Sequence, residues 1–330
     1  FSTEKKVHYQ DQNSNTKELW SINGLKADSL YNAAMSSLGG LPHYKQHLLK
    51  KIFFPIYLHL SGINAPFELQ FSSGASATLV VSKTISFIDL WHQLKGSSED
   101  YTFEILDGDI AFISYNNCKN YDQFKLFLAN TFRKIKAENI KKLIIDIRNN
   151  SGGDSSLNDL LLAYLYDKPY RQMSRRLWRL SPVSAQLLVQ QGYKEYFGDN
   201  YIEEARTIGD SLILEFDIGD GFMEPEQPVN FYDGKSCVLI GPATYSSANM
   251  LADAIKEFQI STLIGSATGQ WTNDFGEMAS FELPHSQLPF TVAMTMDIGA
   301  SGKEAHFQAV LPDFLVENNV IPFAIDWLEK

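Results

Sequence analysis

The chain has 330 residues, 44% of them hydrophobic and 20% charged, with 39 acidic against 28 basic side chains and a formal net charge of -11 at pH 7. Its 22 Phe, 15 Tyr and 5 Trp exclude a disordered chain, and the acidic balance argues against a nucleic-acid binder held by phosphate contacts. The longest apolar runs, such as Leu143–Ile145 and Cys237–Ile240, are too short to span a bilayer, and at roughly 100–200 residues per domain the length implies two or three domains.

Residues 1–18 are polar, lack periodicity and read as a lead-in. The opening Phe1-Ser2-Thr3-Glu4 has neither an initiator Met nor an apolar targeting core. We therefore expect a longer precursor, a signal peptide outside this sequence, and a periplasmic or extracellular location. Leu19–Ile22 followed by Asn23-Gly24 predicts a strand and a tight turn. A helix starts over Ala27–Leu30 with Asp28 or Ser29 as cap, and a second covers His43–Leu60, where Pro55 should bend or break it. Pro66–Phe71 and Ser76–Val81 predict a hairpin, and Thr84–Leu94 a short amphipathic helix. The polar, turn-rich Gly96–Asp100 separates a first domain, 19–96, from a second, 97–330.

Strands and helices alternate from there. Strands are predicted at Ile110–Ser114, Leu143–Ile147, Cys237–Ile240 and Thr262–Ile264, with helices at Tyr121–Lys136, Ser155–Tyr166 and Ser247–Phe258. This order implies βα units and a largely parallel sheet in an α/β fold. The stretch 167–235 does not fit the alternation and reads as an insertion. Its Arg171, Arg175, Arg176 and Arg179 form a solvated face or bind carboxylates, such as a peptide C-terminus. Met278–Asp297 holds two strands joined near His285-Ser286. Cys118 and Cys237 lie in apolar stretches and read as buried free thiols, with one disulfide between them as the alternative.

Two loops follow predicted buried strands, where open α/β sheets place ligands. The first, Asp146-Ile147-Arg148-Asn149-Asn150-Ser151-Gly152-Gly153, ends in paired glycines that allow close backbone approach and free N–H groups. Taken alone it is an ordinary strand-to-helix turn capped by Asp154 or Ser155, braced by an Asp146–Arg148 ion pair. The second, Thr244-Tyr245-Ser246-Ser247-Ala248-Asn249, places Ser246 at the mouth of a helix, where the dipole favours an alkoxide-like hydroxyl. Taken alone, Ser246 or Ser247 is an N-cap.

Together the loops resemble the tail-specific (C-terminal-processing) serine peptidase family, which includes relatives of the tricorn core protease. Further matches are Ile110–Ile113, Leu263-Ile264-Gly265 with Thr268-Gly269, and Leu311-Pro312-Asp313. The resemblance covers about residues 101–315. It implies a ClpP/crotonase-like α/β core, a PDZ-like N-terminal module from the strands near 19–24 and 66–81, a polypeptide substrate and no cofactor or metal. Carried over, Ser246 is the nucleophile, and Gly152 or Gly153 with the Ser247 N–H form the oxyanion hole.

The chain departs from that pattern at two places. Many family members carry a lysine base in the stretch that here reads Thr268-Gly269-Gln270-Trp271-Thr272, and a glutamate where Asn249 stands. A neutral Gln cannot accept the serine proton, so a Ser–Lys dyad is not expected. The tricorn-like branch instead uses an upstream His and a later Glu. The upstream candidates are His8, His43, His47, His59 and His92, or a residue preceding Phe1; Glu277 and Glu304, the latter in a cluster with Lys303 and His306, are candidates for polar support. His43 and His47 stand at i and i+4 without a Glu between them, which does not fit a zinc-protease helix. The alternatives to a peptidase are an inactive peptide- or small-ligand-binding protein on the same fold and, third, acyl-CoA chemistry, for which no basic phosphate pocket is evident.

Overall fold

A computed structural model describes residues 7–10, 15–80, 99–106, 109–181, 206–208, 211–217 and 222–330, which fall into two units, Phe1–Glu99 and Asp100–Lys330. In the first unit β1 (His8–Gln10) pairs antiparallel with β2 (Thr16–Ile22), and the Asn23-Gly24 turn brings the chain back as β3 (Leu25–Lys26). Helix α1 (Ala27–Ser36) starts at once, with Lys26 at its N-cap and no side-chain cap bond. Asp28 and Ser29, expected as caps, therefore lie inside the first turn, where Asp28 still faces the positive end of the helix dipole.

Pro55 does not end the second helix. The chain runs from α2 (Pro42–Leu48) through one π-turn, Leu49–Phe53, into α3 (Phe54–Leu60). The wider hydrogen-bond spacing just ahead of Pro55 accommodates a residue without an N–H. The hairpin of β4 (Phe67–Phe71) and β5 (Ser76–Leu79) sets Phe67 opposite Leu79. Ile22, Leu30, Tyr31, Leu49, Leu58 and Leu69 meet in the core of this unit. The predicted helix 84–94, with His92, lies outside the described residues.

The larger unit opens with β6 (Tyr101–Leu106), a strand that sequence pattern left unassigned, antiparallel to β7 (Ile110–Tyr115). Helix α4 (Tyr121–Ala137) buries Phe124, Leu128, Phe132 and Ile135, spaced by three or four residues on one face. Then follow β8 (Lys142–Asp146), α5 (Ser156–Leu165), β9 (Met173–Leu180), β10 (Arg206–Ile208) and β11 (Ser211–Asp217). The rest is β12 (Lys235–Ile240), α6 (Ser247–Glu257), β13 (Thr262–Gly265), β14 (Asp274–Glu282), β15 (Pro289–Gly299), β16 (Phe314–Leu315) and α7 (Val320–Glu329).

These strands build two sheets. The first has the order β16-β13-β12-β8-β7-β6 and is parallel except at the β7–β6 edge. Its central strands are apolar on both faces because both are covered. Leu143, Ile145, Val238 and Ile240 pack into one core with residues of α4, α5 and α6, while Ile144, Cys237 and Leu239 pack into the other with α7. Both cysteines are buried free thiols. The second sheet is antiparallel, in the order β10-β11-β9-β15-β14. The stretch read as an insertion thus contributes three strands to a sheet that the β14–β15 hairpin completes.

Candidate active site

Strands β8 and β12 are parallel neighbours with Asp146 opposite Leu239, so the loops after them leave the sheet side by side at its carboxyl edge. Three hydrogen bonds stitch the loops together. Ile147 N–H donates to Leu239 O at 3.0 Å, Thr244 Oγ1 donates to Ile147 O at 2.9 Å, and Tyr245 N–H donates to Asn150 O at 3.0 Å. Arg148 folds back onto Asp146, with Nε and Nη2 at 2.9 and 2.6 Å from its two carboxylate oxygens. That pair braces the first loop, as its spacing suggested. Asp154 Oδ1 accepts the Ser156 N–H at 2.9 Å at the start of α5.

Ser246 occupies the N-cap position of α6 but does not cap it. Its backbone is at φ +52, ψ -129, and its side chain makes no capping bond. A left-handed φ on a residue with a β-carbon costs about 1–3 kcal/mol and is held only by its surroundings. Here the Ser246 N–H donates to Gln270 Oε1, and Ser246 O accepts the Met250 N–H at 3.0 Å. The half-buried Ser246 Oγ has no hydrogen bond among the described residues and sits where the α6 N–H groups converge.

Gly152 and Gly153 close against this turn. A β-carbon at position 152 would lie 2.6 Å from Ser246 Cβ and 2.9 Å from Ser247 N, and one at 153 would lie 2.2 Å from Cys118 O. Their φ values, +97 and +139, also select glycine. The two differ in what their amides do. The Gly152 N–H is already used, donating to Asn150 Oδ1 at 2.9 Å. Gly153 pairs beside Cys118 through the Cys118 N–H to Gly152 O and the Asp154 N–H to Cys118 O, which leaves its own N–H outside the bridge. Ser247 Oγ donates to Gly153 O at 2.6 Å, drawing the two loops into contact. Among the described residues, the Gly153 and Ser247 N–H groups have no acceptor. Two such donors beside a free hydroxyl can stabilise negative charge developing on a carbonyl oxygen.

Gln270, 8% exposed, sits behind Ser246. Burial pushes the Asp274 carboxyl up to about 6, with the nearby Asp297 adding to the rise. Asp274 lies across β14–β15 from Asp297, and Asp297 across β15–β9 from Arg176. Arg176 grips Asp297 with Nε and Nη2 at 2.7 and 2.8 Å and holds Glu277 Oε1 at 3.0 Å through Nη1. Glu304 lies 2.5 Å from Arg175 Nη2. Both glutamates singled out from sequence are thus engaged by arginines of β9. His306 Nδ1 lies 3.4 Å from Thr272 Oγ1 and from Ser301 Oγ. His8, His43, His47 and His59 belong to the first unit. Burial and Lys51 and Lys50 bring His47 down to about 4, so it is neutral at pH 7.

Helix α6 carries a polar face inward. Asn249, 2% exposed, donates from Nδ2 to Trp271 O at 2.8 Å. Asp253 Oδ2 accepts the Ala300 N–H at 2.8 Å, and burial raises its carboxyl to about 6. Behind the glycine loop, the wholly buried Asn158 donates to Ser247 O at 2.8 Å and to Gln172 Oε1 at 2.7 Å. Asn158 and Asp274 carried no sequence signal, whereas Asn150 lies in the first loop of the resemblance, where no role was assigned to it. Gln270 did, by occupying the position where the resemblance places a lysine.

Residues 109–316 match the sequence profile of peptidase family S41. No curated protein sequence matches the chain. Among solved structures, mature CPAF complexed with lactacystin aligns with a TM-score of 0.58 at 14% identity, over 98% of this chain and 81% of that one. A further structure of mature CPAF gives 0.55 at 14% identity, over 99% and 80%. The photosystem II D1 C-terminal processing protease gives 0.43 at 12% identity, over 98% and 74%. The two CPAF matches are a likeness of fold.

Proposed function

This chain belongs to peptidase family S41, a family of serine hydrolases, and from that premise we propose that it cleaves polypeptides through an acyl-enzyme on Ser246. The observation that carries the reading is the strained Ser246, whose hydroxyl, like the N–H groups of Gly153 and Ser247 beside it, has no hydrogen-bond partner among the described residues. A serine serving only as a cap would have an ordinary φ and a bonded Oγ.

In the proposed reaction Ser246 Oγ bonds to the carbonyl carbon of the scissile amide, and the negative charge on the carbonyl oxygen rests against the Gly153 and Ser247 amides. Gly152 shapes the hole without donating to it, because Asn150 holds its N–H. The C–N bond then breaks, the amine leaves with a proton, and water hydrolyses the ester to free the carboxylate and restore the serine. Gln270 cannot serve as the base. In line with the tricorn-like resemblance, an upstream histidine takes the Ser246 proton. The Arg176 and Arg175 pairs suit Glu277 and Glu304 to support rather than to proton abstraction.

We further assign the first unit as a PDZ-like module that binds substrate polypeptide, and the working environment as periplasmic or extracellular. No helix among the described residues is long and apolar enough to cross a membrane.

Hydrolysis of an unfolded polypeptide by the wild-type chain, lost in Ser246→Ala while the fold persists, is the expected result. Equal turnover by both would overturn the reading. Gln270 and Asn249, where the resemblance expects lysine and glutamate, favour a second reading as a peptide-binding protein without turnover. Saturable binding of a peptide that is never cleaved would select it.

A further inference from the structure

An oxyanion donor counts only while it points at the anion, and between two glycines that direction is not fixed locally. The Gly152–Gly153 peptide is planar, so its C=O and N–H point opposite ways. Rotation about the bonds on either side of it carries little torsional penalty where neither residue has a β-carbon. Turned over, the peptide would aim the Gly152 carbonyl at the site and carry the Gly153 N–H away from it. In the structure the Gly152 carbonyl is tied down on the far side. It accepts the Cys118 N–H at 3.1 Å, while the Asp154 N–H donates to Cys118 O at 2.8 Å. This parallel bridge turns both polar groups of Gly153 away from Cys118, and Ser247 Oγ, donating to Gly153 O at 2.6 Å, marks the side they face. The Gly152 N–H is held by Asn150 Oδ1. Among the described residues, each backbone group from the Gly152 N–H to the Asp154 N–H therefore has a partner except the Gly153 N–H.

We propose that Cys118 is a positioning residue for the oxyanion hole: through its backbone N–H it holds the Gly152 carbonyl, and so keeps the Gly153 N–H turned toward Ser246. The inference rests on the reading of Ser246 as nucleophile. Cys118 lies in 116–120, the connection from β7 to α4, and that connection is itself fastened. Asp100, the first residue of the larger unit, accepts the Asn116 and Asn117 N–H groups on its carbonyl at 2.8 and 3.2 Å. Its carboxylate accepts from Asn117 Nδ2 at 2.8 Å and from Asn120 Nδ2 at 3.3 Å. Bonds to one residue thus bracket Cys118 from both sides. The Cys118 thiol, 1% exposed, lies 3.6 Å from Asn150 Oδ1, the oxygen that takes the Gly152 N–H. Substrate does not touch a residue this buried, so disturbing it slows the chemical step and leaves binding alone.

The test measures kcat and KM on an unfolded polypeptide, together with the rate of fluorophosphonate labelling at Ser246, at a temperature where each variant is folded. Cys118→Pro removes the N–H. It should lower kcat and labelling by about a hundredfold, as loss of one oxyanion donor does, while KM stays within about threefold. Cys118→Ala keeps the N–H and gives up only the thiol, so it should label at least about tenfold faster than Cys118→Pro. Equal rates in the two variants, or wild-type rates in Cys118→Pro, would overturn the inference. Residue-resolved hydrogen exchange of the wild-type chain carries the test by itself should Cys118→Pro not fold. The Cys118 amide should be protected and the Gly153 amide should exchange freely. The reverse order would mean a turned-over peptide and would equally overturn the inference. Turnover and labelling undiminished in Ser246→Ala would instead sink the nucleophile reading, so the two failures are distinct.

Discussion

The two sheets of the larger unit contribute to the candidate site in different ways. The parallel sheet delivers backbone: two adjacent strand ends, a glycine pair and a strained serine, held by main-chain bonds and by Asn150, Thr244 and Ser247. The antiparallel sheet delivers side chains, with Arg176, Asp297 and Asp274 in register and Arg175, Glu277 and Glu304 around them. Backbone contributions of the first kind tolerate almost no substitution, because a β-carbon has no room. Those of the second kind are graded, because charges respond smoothly to distance and to pH.

The largest effect is expected on the parallel side. Gly152→Ala puts a β-carbon 2.6 Å from Ser246 Cβ at a φ of +97. It should reduce turnover by about a thousandfold or more, as loss of an oxyanion site does. Activity within tenfold of wild type would show that the two loops are not in contact during catalysis. On the antiparallel side, Gln270→Lys introduces the residue that the family resemblance expects. Here it should lower kcat by about tenfold, since Ser246 would lose its N–H acceptor. An increase in kcat would mean that the site is a lysine-type site with one part missing.

Arg176→Gln probes the far end of the row. Removing the guanidinium breaks the part-buried, bidentate pair with Asp297, which should cost about 3 kcal/mol of stability. A denaturant midpoint equal to that of the wild type would detach Arg176 from the row. The smallest expected effect lies in the helix that carries Ser246. Asp253 has its folded pKa raised to about 6, above its unfolded value, so the native state binds more protons between about pH 4 and 6 and stability falls as pH rises through that window. Asp253→Asn keeps an acceptor for the Ala300 N–H and removes the titration. Compared with wild type it should be more stable at pH 8 than at pH 5 by on the order of 1–2 kcal/mol. Denaturant midpoints at both pH values measure the difference, and an equal difference at the two would contradict it.

This division also explains how much the sequence disclosed. Elements with a strong period were legible: the apolar runs of β8 and β12, the helix expected over Tyr121–Lys136, and the strand-to-helix turns carrying Gly152, Gly153 and Ser246. Those features depend on neighbours a few residues away. Strand β6 was missed because Tyr101–Leu106 is an edge strand with only partial burial, which leaves no clean alternation. The antiparallel sheet was read as an insertion plus a hairpin because β9 and β15 pair across more than a hundred residues. The Asp274–Asp297–Arg176 row is hidden for the same reason, because Arg176 joins the hairpin pair from β9, 121 residues before Asp297. Which of the Gly152 and Gly153 N–H groups is already engaged is not legible in sequence, because it depends on a single side chain, Asn150.

The central claim is that Ser246 is a nucleophile, and covalent capture tests it most directly. After incubation of the wild-type chain with a fluorophosphonate, intact-mass and peptide mapping should find one adduct, on Ser246, and none on Ser246→Ala. Equal modification of the two proteins, or an adduct on another residue, would contradict the account.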